Sequence, residues 1–281
     1  MAYDIIIGRD ATDKELFGKE GLILLGKGYV KMGNYTSLSN KIYMDIARSH
    51  VILIAGKRGS GKSYTLGSIA ESLSDLPKEI SKNIAPLIFD TMGIFWTMKH
   101  KNEKDKDLLN KWELETKDLP VKVFVPFGKV ETYKEKGIPI DHTFAIKSSE
   151  LEAEDWITLF NISLTSLPGI LIQRTIAELK KKIVNFTLED VQMLIEHDGK
   201  SSKDTKEITS SLFNAADTWG IFSKDKKGTD ISDLITPGTT TVLDTSVYSS
   251  IGAYNLRALV ISIITRKLFR TRMDARKQEE L

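Results

Sequence analysis

Gly56-Lys57-Arg58-Gly59-Ser60-Gly61-Lys62-Ser63 follows the pattern G-x-x-x-x-G-K-[ST], a spacing that can cradle a row of phosphates. Glycines let the backbone wrap closely around an anion, with its N–H groups turned inward. A helix that starts where the loop ends adds partial positive charge aimed at the same anion. Lys62 has the reach and charge for β- and γ-phosphates, and the Ser63 hydroxyl is a ligand for Mg²⁺. The loop is therefore the candidate site for a nucleoside triphosphate, with Mg²⁺ as its companion ion. Hydrolysis also asks for an acid at a neighbouring strand end, to hold Mg²⁺ through water. Two such acids exist, Asp90 and Asp244. For each acid two readings stand, a contact with the nucleotide site and a plain strand end. Asp90 follows the better apolar run, Leu87-Ile88-Phe89, and is the one taken as candidate for the catalytic and metal-holding role. Neither acid is followed by Glu, so neither supplies an Asp-Glu pair.

Position depends on the elements around these residues. Val51-Ile52-Leu53-Ile54-Ala55 predicts a strand leading into the loop, and Leu66, Ile69, Ala70 and Leu73 share one face of a following helix. Leu87-Ile88-Phe89-Asp90 predicts a buried strand with Pro86 at its start, and Val121 to Val125 alternates as a further one. Thr239 to Asp244, rich in β-branched residues, predicts another. Residues 1–48 form a β-rich extension of short runs (Ile5-Ile6-Ile7, Leu22 to Leu25, Tyr29 to Met32) split by glycines. Residues 49–281 form the core, with a helical insertion at about 150–220. In that insertion Ser149 to Glu152 reads as a capping box before Trp156, Leu159 and Phe160. Ile172, Ile176, Leu179 and Ile183 make one apolar stripe, and Ile208, Leu212, Ala215 and Trp219 another, while Thr187 to Asp190 opens a helix between them. Lys99 to Lys117 reads as a solvated, charge-rich excursion. Tyr254 to about Gln278 is one long helix, apolar first and basic later. Strands alternating with helices imply a mostly parallel, covered sheet, an α/β fold.

Composition narrows the classes. Lys+Arg 40 against Asp+Glu 38 gives a net charge of only +2, so no global basic field announces nucleic acid. Cys is absent, which excludes disulfides and thiolate metal sites. His50, His100, His142 and His197 are scattered without metal-pair spacing. No apolar stretch has the length of a membrane helix, and Met1-Ala2-Tyr3-Asp4 lacks a secretory pattern, so the reading is cytoplasmic. Phe95, Trp96, Trp156 and Trp219 lie on or beside apolar runs and read as packing residues.

The segment from Ser49 to Gly67, with the loop at its centre, resembles the HerA-type ATPases of the HerA/FtsK group of RecA-like hexameric DNA translocases and helicases. Asp90-Thr91-Met92-Gly93 is similar to that group's Asp-Pro-x-Gly segment, with Thr91 in place of Pro. Thr241 to Ser246 resembles a later strand, and the basic helix through Arg266-Lys267-Leu268-Phe269 is also similar. The resemblance implies a RecA-like P-loop core with Gly56, Lys57, Arg58, Gly59, Ser60, Gly61, Lys62, Ser63 and Tyr64 on ATP, and with Ser63 and Asp90 toward Mg²⁺. It further implies a hexameric ring of identical copies, duplex DNA as partner, a nuclease of the NurA type, no membrane, and a role in DNA end processing and repair. The family's Asp-Glu strand, polar sensor and arginine finger have no counterpart before Glu279-Glu280-Leu281. Three readings therefore stand: a translocase motor, a non-hydrolysing ATP-binding scaffold or regulatory subunit, and a phosphotransferase with an unspecified acceptor.

Overall fold

The computed structural model describes residues 3–33, 35–248 and 254–279; Met1-Ala2 and Glu280-Leu281, read above, lie outside them. The chain forms two compact units. The first comprises Met1–Pro86, Thr97–Val121 and Thr236–Thr240, and the second Leu87–Trp96, Lys122–Ile235 and Thr241–Leu281.

In the first unit a short strand β1 (Ile5–Ile7) and helix α1 (Ala11–Phe17) precede two 11-residue strands, β2 (Leu22–Met32) and β3 (Tyr35–Asp45). β2 and β3 pair antiparallel from Leu22↔Asp45 to Met32↔Tyr35, and β1 joins β3 in parallel. The sequence reading broke β2 into two runs at Gly26 and Gly28. The structure keeps one strand and takes up the glycines as register shifts between Leu24 and Gly26 and between Lys27 and Tyr29, which is how a bulge absorbs an extra residue. Helices α2 (Lys62–Ser74), α3 (Lys78–Ser81) and α4 (Lys106–Lys111) complete the unit. The excursion at 99–117 is mostly exposed but fastened: Lys117 pairs with Glu71 of α2 at 3.4 Å and with Asp75, which caps the C-terminus of that helix, and Lys27 of β2 reaches Glu113 at 3.2 Å.

Arg9 and Asp45 tie this unit together. The Arg9 side chain is fully buried and donates to Asp45 Oδ1 at 2.9 Å and to the carbonyls of Gly18 and Glu20 at 2.7 and 2.6 Å. Asp45 also accepts from the Arg48 amide at 3.1 Å and contacts His50 Nε2 at 2.8 Å. Burial alone would raise the Asp45 pKa. Hydrogen bonds from His50, Arg9 and the Arg48 and Ala47 amides prevail and hold it at about 2. The folded value lies below the unfolded one, so the stabilisation is present above the ordinary carboxylate pKa and is lost as pH falls toward 2. Asp45→Asn is expected to lower stability by about 2 kcal/mol at neutral pH and by much less near the bottom of that window. Chemical denaturation at both pH values checks this, and an equal loss at both would refute it.

The second unit carries a sheet in the order β4-β7-β5-β6, formed by β4 (Leu87–Asp90), β5 (Val121–Pro126), β6 (His142–Phe144) and β7 (Thr240–Asp244). β4 runs parallel to β7 and β5 parallel to β6. The central strand β7 is buried at every position, as a parallel strand covered on both faces must be. Helix α5 (Val130–Glu135) follows β5; α6 (Ala153–Phe160), α7 (Leu167–Lys182), α8 (Leu188–Glu196), α9 (Lys203–Thr218) and the short α10 (Ile231–Leu234) lie between β6 and β7, and α11 (Tyr254–Glu279) follows β7. Trp156 packs against Phe213 and Phe222 with ring centroids 5.0 and 4.9 Å apart, and Trp219 against Phe222 at 6.3 Å, so both tryptophans serve the core as read.

Two local expectations shift. The capping box of α6 is Glu152 with Asp155, not Ser149 with Glu152, because Ser148–Glu150 forms a separate 3-10 turn. On α9 the buried face is Thr205, Thr209, Phe213 and Ala216, while Ile208 and Ala215 are exposed. The period was correct and the phase was not. Thr209 Oγ1 returns to the Thr205 carbonyl at 2.7 Å, so the hydroxyl enters the core already satisfied. Among the described residues no helix is long and apolar enough to cross a membrane.

Candidate functional site

The loop Gly56–Ser63 lies in the first unit and opens α2 as expected. Its lead-in differs from the expectation. Residues 51–55 are not a strand; none of the described strands pairs with them, and Val51 and Leu53 are exposed. Apolar, β-branched residues supply the propensity, but a strand exists only through a hydrogen-bonded neighbour.

Gly61 is the N-cap of α2 at φ +88° and Gly59 sits at φ +79°, both in the region that side chains avoid. At Gly56 the requirement is space, since an added Cβ would lie 2.3 Å from Ser60 Oγ. The Ser60 amide bonds to the Lys57 carbonyl at 3.2 Å. Among the described residues the amides of Gly59, Gly61, Lys62 and Ser63 have no acceptor. No acidic residue stands in the first turn of α2, so its positive end is not countered. Lys62 Nζ folds back over the loop and donates to the carbonyls of Gly56 and Lys57 at 2.8 and 2.9 Å. The Ser63 side chain is exposed and has no partner among the described residues. Free amides, an uncapped helix start, a lysine held at the loop rim and an available hydroxyl are the donor set that a Mg²⁺-bound triphosphate uses, so the residues fit that group. Tyr64 turns aside: its hydroxyl donates to Asp105 Oδ2 at 2.9 Å and accepts from Asn102 Nδ2 at 3.0 Å. The bond to Asp105 raises the Tyr64 pKa above the usual phenol value.

Asp90 and Asp244 lie in the second unit as register partners at the carboxyl ends of β4 and β7. Asp90 is buried, and its carboxylate is a hub for the chain that follows. Oδ1 accepts the amides of Met92 and Gly93 at 2.9 and 2.8 Å, and Oδ2 those of Ile94 and Phe95 at 2.7 and 2.8 Å. A metal ion at Asp90 would have to compete with all four. Gly93, at φ +70°, closes this turn, and Trp96 Nε1 donates back to its carbonyl at 3.0 Å.

Asp244 is fully buried. Its Oδ1 accepts from Tyr133 OH at 2.9 Å and from the Ser246 amide at 2.8 Å, while Oδ2 has no partner among the described residues. That orphan oxygen sits under Gly93, whose added Cβ would approach it to 3.5 Å and Ser246 Oγ to 2.5 Å. Burial, and then the charge of Asp90, push the Asp244 carboxyl above the usual range. Sequence reasoning missed Tyr133, and no local signal marks it; only the fold brings it to Asp244 from 111 residues away.

A raised folded pKa favours the fold below the ordinary carboxylate value and costs stability as pH rises through the folded one. Asp244→Asn keeps an oxygen for Tyr133 and Ser246 and removes the titration. Its melting temperature relative to the parent is expected to be more favourable at about pH 8 than at about pH 4. A difference independent of pH would show that Asp244 is not held against ionisation.

Among the described residues no cluster of three or more acidic, histidine or cysteine side chains could hold a metal ion. No curated protein matches the chain. Residues 30–268 match the family model described as "Helicase HerA, central domain", which takes in the loop, both strand-end acids and the helices between them. The chain belongs to the helicase HerA central-domain family, and is an ATPase of the HerA/FtsK type with a RecA-like α/β fold.

Proposed function

We propose that this chain is the ATP-binding and hydrolysing core of a DNA translocase or helicase. It works on duplex DNA as a hexameric ring of copies, in DNA end processing and repair, with a nuclease of the NurA type as partner. Residues 49–281 are the motor core and 1–48 its β-rich extension. The observation that carries the reading is the loop itself, with Lys62 held over it and the amides of Gly59, Gly61, Lys62 and Ser63 unclaimed among the described residues. Bound Mg-ATP supplies the phosphoryl chemistry. The residues from Gly56 to Ser63 grip the phosphates through the backbone, and Ser63 Oγ is the protein ligand for the ion. Lys62 exchanges the carbonyls of Gly56 and Lys57 for phosphate oxygens, a charge-assisted bond in place of a neutral one. Asp90 acts as a positioning residue, shaping the turn from Thr91 to Phe95.

One observation favours a second reading, a non-hydrolysing ATP-binding subunit. Asp90 is occupied by four amides and Asp244 is buried with a raised pKa, so neither strand-end acid presents a free carboxylate. Steady-state ATP hydrolysis with and without duplex DNA separates the two. DNA-stimulated turnover supports the motor, and ATP binding without turnover supports the subunit.

A further inference from the structure

A cleft of about 280 Å³ in the second unit lies between α11, α7 and the chain just after β6. Its walls carry five cationic side chains and two carboxylates. Most of that charge is matched. Lys180 pairs with Glu152 at 2.6 Å, Lys267 with Glu150 at 2.8 Å, and Arg266 with Asp155 at 2.8 Å. Lys147 and Arg270 remain, and among the described residues neither has an acidic partner.

The two differ in how they are held. Lys147 is half-buried, and its stem lies against Gly228, where an added Cβ would come within 2.7 Å of Lys147 Cγ. That contact fixes the direction of the side chain, as apolar stems of long cations do. Arg270 is exposed on α11, one turn beyond Arg266. Lys267 is locked by a second bond, to the Thr229 carbonyl at 2.8 Å, and so frames the cleft without being available to a ligand. Two uncommitted cations over a concave floor of ion pairs, in which Glu150 Oε2 alone is buried without a partner among the described residues, leave a local excess of positive charge. A small multivalent oxyanion matches it: a planar guanidinium binds two phosphate oxygens at once, and an ammonium binds a third as a point charge.

We infer that this cleft binds a phosphate group through Lys147 and Arg270, using no residue of the 56–63 loop. The phosphate comes either from a nucleic-acid backbone or from a free phosphate or pyrophosphate.

The test uses the full chain in a Lys62→Ala background, which weakens the loop's own hold on phosphate. Whatever its backbone amides still bind is common to every variant compared, so the outcome does not depend on the ATP reading. Binding of inorganic phosphate and pyrophosphate is measured by calorimetry, and binding of duplex DNA by anisotropy over a salt series. Lys147→Gln with Arg270→Gln is expected to weaken phosphate or pyrophosphate binding about tenfold. Lys147→Arg with Arg270→Lys, which keeps both charges, retains binding and separates lost recognition from lost folding. If the source is a nucleic-acid backbone, the slope of log affinity against log salt falls in magnitude by about 1.8, two contacts at about 0.9 each. If the source is free phosphate, that slope stays and only the calorimetric signal falls. No response of either ligand to the double glutamine variant overturns the site, as does the absence of binding by both ligands before substitution.

Discussion

Lys62→Ala is expected to cut ATP turnover by about a thousandfold, the scale lost with a preorganised donor at a phosphoryl site. Stability should hardly move. The Lys62 ammonium donates only to the carbonyls of Gly56 and Lys57, in a loop exposed to solvent, and water replaces it there at little cost. The same substitution also divides the two functional readings. In a motor, the parent hydrolyses ATP, faster with duplex DNA, and the variant does neither. In a non-hydrolysing subunit the parent shows no turnover, and the variant instead loses the rise in melting temperature that excess ATP produces. Phosphate release and thermal shift on the two proteins give both answers. Equal turnover in parent and variant would remove the loop from the chemistry altogether.

How much of this could be read beforehand depends on whether the cause is local. The loop is local: its glycines, Lys62 and Ser63 are fixed by spacing, and the helix they open begins at Lys62. β4 and β7 were legible because an apolar run ending in an acid carries its own boundary, and α11 because its apolar first half and basic second half run on with no Gly or Pro to break them. Residues 51–55 carry the same kind of run, yet they form no strand, since pairing is supplied from elsewhere in space. On α9 the apolar residues fall on two faces, and Thr205 and Thr209 settle which is buried by satisfying a hydroxyl within the helix. A hydropathy pattern does not contain that information. At the site, the acid of Asp90 was visible as a strand-end residue. Its four amide partners were not, because they depend on a turn closed by Gly93 in a left-handed conformation.

That turn sets the second large effect. Asp90→Ala removes the acceptor for the amides of Met92, Gly93, Ile94 and Phe95, all at 2.9 Å or less. A buried donor left without a partner costs about 1–3 kcal/mol. Even if the turn relaxes and some of the amides reach water, the loss is expected to be about 4 kcal/mol, a large part of a typical domain's stability. Asp90→Asn should fall between, because one oxygen remains to accept while the new NH₂ group faces two amides that are themselves donors. Gly93→Ala tests the same turn from the other side: φ +70° and a Cβ 2.5 Å from Ser246 Oγ predict a loss of about 1–3 kcal/mol. Chemical denaturation of the three variants, with ATP turnover measured on each, distinguishes an anchor from a metal-holding acid. An anchor loses stability and turnover together, and Gly93→Ala follows Asp90→Asn in kind. A metal-holding acid loses turnover in Asp90→Asn while stability stays within about 0.5 kcal/mol of the parent, as for an ordinary surface change. An Asp90→Ala protein as stable as its parent would show that the four amides do not depend on this carboxylate.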